Sequence, residues 1–154
     1  MSDMNDHRSE GYRAGLQVRR EVLGEAYVNA SLAAADDFIG PLQDYLTEHA
    51  WGAVWTREGL TRKTRSMLNL AMLTALNRPA ELRLHLIGAL RNGVTREEIR
   101  EIFLQTAVYC GAPAALDSFK AAKAVFAEMD AAAAGNGGRE MVEAASDLRI
   151  KISG

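Results

Sequence analysis

Thr95-Arg96-Glu97-Glu98-Ile99-Arg100-Glu101-Ile102-Phe103-Leu104-Gln105-Thr106-Ala107-Val108-Tyr109-Cys110 opens with a threonine three residues ahead of a glutamate. In this capping-box pattern each side chain accepts from the other residue's backbone N–H, satisfying donors that a helix start leaves free. Behind it Ile99, Ile102, Phe103, Thr106, Ala107 and Cys110 recur at the three- and four-residue spacing of one helical face. The stretch is an amphipathic helix, and the segments on either side carry related signatures.

Upstream, Asn92-Gly93 supplies a left-handed exit for a helix running to about Arg91. Pro79 opens that helix, its fixed φ suiting a first helical position. Asn77-Arg78-Pro79 separates it from a helix over residues 62–76, capped by Thr61 after a break at Gly59. Met67, Leu68, Leu70, Ala71, Met72, Leu73, Ala75 and Leu76 put apolar groups on almost every side of this helix, which predicts a central position. A second helical region, residues 31–55, breaks near Gly40-Pro41, where proline removes a donor and crowds the preceding turn. Residues 12–23 form a first helix stopped by Gly24, and residues 114–129 a last one. No segment alternates apolar and polar residues over strand length, so the fold class is all-α.

Composition is that of a folded chain: 154 residues, 48% hydrophobic and 25% charged. The expected organisation is one helical domain over residues 1–130 followed by a tail over 131–154. Residues 131–138 are small and glycine-rich, as in a flexible linker. Residues 139–148 suit a short helix, and nothing in the tail resembles a catalytic motif. A formal charge of −2 points to no nucleic-acid partner and no anionic membrane. A lone cysteine makes neither an internal disulfide nor a CxxC site, which fits a reducing compartment. The polar first ten residues lack an apolar signal core, and no apolar run approaches the ~18 residues of a membrane span. The expected location is the cytoplasm.

Chemistry concentrates on the helix opened by Pro79. Glu81 and His85 stand four residues apart, one turn along a single face. An imidazole titrates near neutral pH, and a carboxylate beside it favours its protonated form. Gly88 and Ala89 lie a turn further on and leave room for a ligand. The same spacing also suits a structural histidine and a first-turn acid favoured by the helix dipole.

Other segments fall in a recognisable order: Gly15-Leu16-Gln17-Val18-Arg19, Glu21-Val22-Leu23-Gly24-Glu25, Ala50-Trp51-Gly52-Ala53-Val54-Trp55, Gly59-Leu60 and Thr64-Arg65-Ser66. Glu81-Leu82-Arg83-Leu84-His85, Asn92-Gly93-Val94-Thr95 and Tyr109-Cys110-Gly111-Ala112-Pro113-Ala114-Ala115 complete it. Over residues 11–129 the chain resembles the gamma-carboxymuconolactone decarboxylases of the protocatechuate branch of the beta-ketoadipate pathway. The resemblance implies an all-α subunit of the AhpD-like type, assembled as trimers or hexamers, and a decarboxylation that uses no cofactor and no metal. The sister AhpD-like alkylhydroperoxidases carry a Glu, a CxxC pair and a His. Here Ser66, Arg78 and Glu81 occupy the Glu and Cys positions, so only His85 matches and the thiol chemistry is absent. Ala53 replaces a common acid and Asn77 a common glycine, departures that bear on the substrate.

For such a lactone the reading is conversion of 4-carboxymuconolactone to 3-oxoadipate enol-lactone. Electrons left by departing CO2 delocalise through the ring double bond onto the lactone oxygen, so the substrate carries its own electron sink. The protein must supply a cation for a carboxylate, a dipole at the developing oxyanion and an acid for the ring carbon. His85 is the candidate acid, with Glu81 as its partner. Arg65 is the first choice for the carboxylate because its planar fork suits bidentate contact, and Arg78 the second. Trp51 and Trp55 are candidate pocket walls, or core. Tyr109 is a candidate oxyanion donor, or an anchored core aromatic. Cys110 reads as inert packing, and His7 and His49 as incidental. The alternatives are a related enzyme acting on another small carbonyl acid, and a non-catalytic helical oligomer.

Overall fold

The computed structural model describes the backbone of residues 8–152 and the side chains of residues 8–136; His7 lies outside them. Helices α1 (Glu10–Leu23), α2 (Glu25–Ala33) and α3 (Gly40–Tyr45) lead into a π-helix (Leu46–Trp55). Then follow α4 (Arg62–Ala75), α5 (Pro79–Arg91), α6 (Arg96–Cys110) and α7 (Ala112–Ile152). The described residues contain no strand, as expected.

Local chemistry sets these boundaries. Ser9, Thr61 and Thr95 each accept from a backbone N–H three residues on, and Thr95 with Glu98 forms the full capping box. Gly24, at φ 96°, ends α1 and starts α2 within one residue. The expected second helical region is therefore cut differently: its first part begins at Glu25, before Ser31. Its break falls ahead of Gly40-Pro41, because Asp36 draws the N–H groups of Phe38 and Ile39 (3.0 Å each) into a turn. Pro41 then sits in the first turn of α3, where its missing N–H costs nothing.

Two apolar clusters form the core, and α5 stands between them. Leu70, Leu82, Leu86, Ala89, Ile99, Phe103 and Val125 unite α4 to α7. Val18, Val22, Leu23, Val28, Trp51 and Trp55 unite α1, α2 and the π-helix, with Leu84 of α5 packed on them. The central element is thus α5, whereas the apolar-all-round α4 leaves one stripe uncovered: Met72 is 52% and Leu76 68% exposed. A buried hydrogen bond between Thr74 and Ser118 (2.8 Å) fastens α4 to α7.

The last helix runs past the expected end at Met129 and through the glycine-rich segment, as one helix from Ala112 to Ile152. Ala131–Ala134 are four strong helix formers, which favours that continuation. Arg96 pairs with Asp130, after which residues 131–136 are exposed.

The tightest packing joins α1 to the π-helix. A Cβ on Gly15 would lie 2.1 Å from the Thr47 carbonyl oxygen, and one on Gly52 would lie 2.2 Å from that of Gly11. Only glycine permits this backbone-to-backbone approach. Buried Arg19 crosses the same seam, donating to Thr47 Oγ1 (3.0 Å) and Gln43 Oε1 (2.7 Å).

Gly15→Ala and Gly52→Ala should each destabilise the fold by at least about 2 kcal/mol, since rigid backbone must move. Gly59→Ala, whose Cβ meets nothing within 4 Å, should stay within about 0.5 kcal/mol. Urea unfolding of the three variants measures this, and equal midpoints would mean that the glycine seam is not tight.

Candidate functional site

The π-helix shapes one wall of the site. Its hydrogen bonds reach one residue further than those of an α-helix, and residues four apart share one face of it. Thr47, Trp51 and Trp55, spaced by four, are its three buried residues. Trp55 stacks behind Trp51 with ring centres 4.9 Å apart and planes 27° from each other. The Trp51 ring in turn lies parallel to the His85 imidazole, at 6.3 Å and 4°. Trp51 thus faces His85, while Trp55 supports Trp51 from within the core.

His85 projects from α5 at the seam between the two core clusters, half-buried. Its Nδ1 lies 3.3 Å from Nδ2 of Asn69 on α4. Burial pushes the His85 pKa below its ordinary value, and the nearby Glu81 carboxylate pulls it up by less. Burial of the ring therefore outweighs the pairing expected from the Glu81–His85 spacing. Glu81 itself is exposed.

Arg65 precedes Asn69 by four residues on α4, one turn along the same face. Its Nη2 donates to the Arg57 carbonyl (3.2 Å), while its Nε is buried with no hydrogen-bond partner among the described residues. The guanidinium is thus held by one backbone oxygen and has donors to spare. Arg78 is exposed at the N-cap of α5. Behind the site, Asn92 donates to Ser66 Oγ (2.9 Å), linking α4 to the end of α5.

Tyr109 is elsewhere. It is 82% exposed and lines a cavity of about 420 Å³ with Met67, Ala71, Ile102, Thr106 and Cys110. Met67 and Ala71 are each two residues from Asn69, roughly on the opposite side of α4. Tyr109 is therefore neither an anchored core aromatic nor a neighbour of His85. Cys110 is also exposed rather than packed, because the buried face of α6 ends at Thr106. His49 packs against Tyr45 on the surface with the two rings tilted at 52°. Among the described residues no three His, Cys, Asp or Glu side chains are grouped to hold a metal ion.

Asn69 was not singled out in the sequence. One signal was there: a lone amide inside an apolar helix competes for backbone hydrogen bonds and needs a reason.

On this all-helical scaffold Trp51 and Asn69 both lie against His85, and Arg65 lies one turn from Asn69 along α4. The chain belongs to the Carboxymuconolactone decarboxylase family, whose profile matches residues 40–124. It is 44% identical over 126 residues to 4-carboxymuconolactone decarboxylase of Acinetobacter baylyi, covering 82% of this chain and 92% of the relative. It is 48% identical over 104 residues to nitrosuccinic acid decarboxylase of Metarhizium robertsii, covering 68% of this chain and 73% of the relative. A 41-residue segment is 51% identical to 4-carboxymuconolactone decarboxylase of Pseudomonas putida, covering 27% of this chain and 85% of that sequence.

The lowered His85 pKa has a measurable consequence. The unfolded ring titrates near 6.5, so the neutral folded ring contributes stability fully above about pH 6.5 and loses it as pH falls through the lowered value. Between about pH 7 and 5 the urea midpoint of the parent should fall further than that of His85→Gln. Equal falls would show that the ring is not desolvated.

Proposed function

We propose that the protein is a decarboxylase converting 4-carboxymuconolactone to 3-oxoadipate enol-lactone without a cofactor. The observation that carries this is the 44% identity extending over 92% of the Acinetobacter baylyi enzyme. The site supports it chemically. Arg65 holds a carboxylate of the substrate, and Trp51 walls the ring. As the carbon–carbon bond to CO2 breaks, its electron pair moves through the ring double bond to the lactone carbonyl oxygen. The carbon next to the carbonyl then takes one proton and the lactone carbonyl re-forms. His85 delivers that proton: anionic substrate offsets the burial that keeps the free ring neutral, and the buried imidazolium is a readily spent acid. Glu81 supports the charged state from the rim, and Arg78 is a secondary cation there. Trp55 acts through Trp51. Tyr109 has no role in this scheme.

A second substrate follows from the Metarhizium robertsii relative. Nitrosuccinic acid carries a carboxylate on the carbon that bears the nitro group, so its decarboxylation also leaves electrons in an adjacent sink. Both substrates are small dianions needing a cation, a donor at the new charge and a proton.

The chain is further proposed to form a homo-oligomer, a trimer or hexamer, in the cytoplasm. Leu68 and Met72 on α4, Leu76 at its C-cap, and Leu104, Val108 and Tyr109 on α6 are exposed. Apolar surface of that extent is normally covered by a partner. Among the described residues no helix is long and apolar enough to cross a membrane.

Purified protein should release CO2 from 4-carboxymuconolactone with or without a chelator, and from nitrosuccinate more slowly. Turnover of neither compound would retire the reading, and faster turnover of nitrosuccinate would exchange the two substrates. His85→Gln should lower kcat by at least ~10²-fold while remaining folded. Arg65→Ala should instead raise KM about 10- to 100-fold, the scale of one charged hydrogen bond. A parental KM in that variant would place the carboxylate elsewhere. Light scattering at micromolar concentration should give a multiple of the chain mass, and a monomer mass would remove the oligomer.

A further inference from the structure

Phe38 is the most exposed large apolar side chain among the described residues, at 92%. The turn that carries it is held at both ends. The Asp36 carboxylate accepts from the N–H groups of Phe38 and Ile39 (3.0 Å each), and the Asp36 carbonyl accepts from that of Gly40 (2.8 Å). A ring held outward on such a turn has already given up its backbone freedom, so docking it costs little further order. Leu42, Tyr45 and Leu46, all exposed, continue it at helical spacing as an apolar ridge along α3 into the π-helix.

A matching hollow lies in the other half of the molecule, beyond α5. The cavity of about 420 Å³ between α4 and α6 is walled by Met67, Leu68, Ala71 and Ile102, with room for a phenyl ring. Charge is complementary as well. Asp37, next to Phe38, is exposed and pairs with no described residue. The hollow reaches Thr64 in the opening turn of α4, where Arg62, Lys63 and Arg65 stand with no acid in the turn. Glu21 and Glu98 pair with Arg62 and Lys63, so Arg65 and the helix dipole leave this end positive.

We infer that Phe38 and its ridge dock into the α4–α6 hollow of a second copy of this chain, with Asp37 against the start of that copy's α4. The inference rests on the homo-oligomer reading above and names its contact. Both halves of the contact are present on one chain, so no other partner is needed. Pairing the α4–α6 face with itself would leave Phe38 in water, whereas burying an aromatic ring removes roughly 150–250 Å² of surface from it. Because ridge and hollow are different surfaces, the contact is head-to-tail, the kind that closes into a ring.

Cys110 lines the hollow and is the chain's one cysteine, which gives a direct test. Phe38→Cys treated with a short bis-maleimide at micromolar concentration should link residue 38 of one copy to Cys110 of the next. The products should be covalent multimers, with the linked peptides identified by mass spectrometry. Tyr27→Cys, also on the surface, should form no link to Cys110. Phe38→Ser should keep the parental helical circular dichroism yet weaken assembly at least about 30-fold per contact in light scattering on dilution, the scale of an interface hot spot. An oligomeric parent with a Phe38→Ser variant that assembles as tightly would overturn the inference. So would a link between 38 and Cys110 that fails to form or stays within one chain. A monomeric parent would remove the oligomer reading itself, and this contact with it.

Discussion

The approach of α1 to the π-helix governs the rest of the site. Gly11, Gly15 and Gly52 let the two backbones meet with no side chain between them. That leaves the row Thr47, Trp51, Trp55 as the packing face of the π-helix. With the helices this close, large rings on that row must extend past α1, and Trp51 ends parallel to His85. A methyl group on either inner glycine would lever the π-helix outward and carry Trp51 with it. Position in the site is thus set by the absence of side chains more than 30 residues before His85 in the sequence. Arg19 reinforces the seam from inside: it is a buried cation bonded to neutral oxygens of Gln43 and Thr47, and burial lowers its pKa. Breaking those bonds would strand a desolvated charge, so the same contact that shapes the site also resists separation.

Two opposing effects meet at His85. Burial between the clusters disfavours the imidazolium, and the Glu81 carboxylate favours it. Burial wins because Glu81 stands in solvent, where water screens its charge, while the ring has given up most of its own hydration. An imidazole arranged this way favours the neutral form and takes up a proton more readily when negative charge arrives beside it. That suits a reaction that begins with a dianion and ends by quenching a carbanion. The balance depends on α5 lying between both cores, since a histidine on an outer helix would keep its hydration.

The helices were legible because their ends are chemically marked. Thr61, Thr95, Pro79 and Gly24 act where their types predict, and these constraints are local. The Asp36 turn and the π-helix were missed for different reasons. The turn rests on one side chain competing with the helix, while the π-helix packs through a glycine seam that joins segments distant in the chain. The apolar count made α4 look central, yet its exposed stripe is a surface facing outward. Cys110 went the same way: a helical stripe tells which residues share a face, not how far along the helix that face stays covered. His85 was found by spacing on one helix, but Asn69 belongs to another helix, and no spacing links the two.

The departures at Ala53 and Asn77 bear less on chemistry than their positions first imply. Ala53 is exposed on the π-helix, two residues from the buried Trp51 and Trp55, and so projects away from His85. Asn77 adopts φ 52°, a left-handed conformation that asparagine tolerates better than other side-chain-bearing residues. It therefore reproduces the turn a glycine would make before α5, and His85 stays in register. Discrimination between a lactone and a nitro acid must then come from groups that meet the electron sink itself. A ring-bound oxyanion and a nitronate differ in reach and in the number of oxygens, and in the proposed site the polar groups left unpaired among the described residues belong to His85, Asn69 and the partly tethered Arg65.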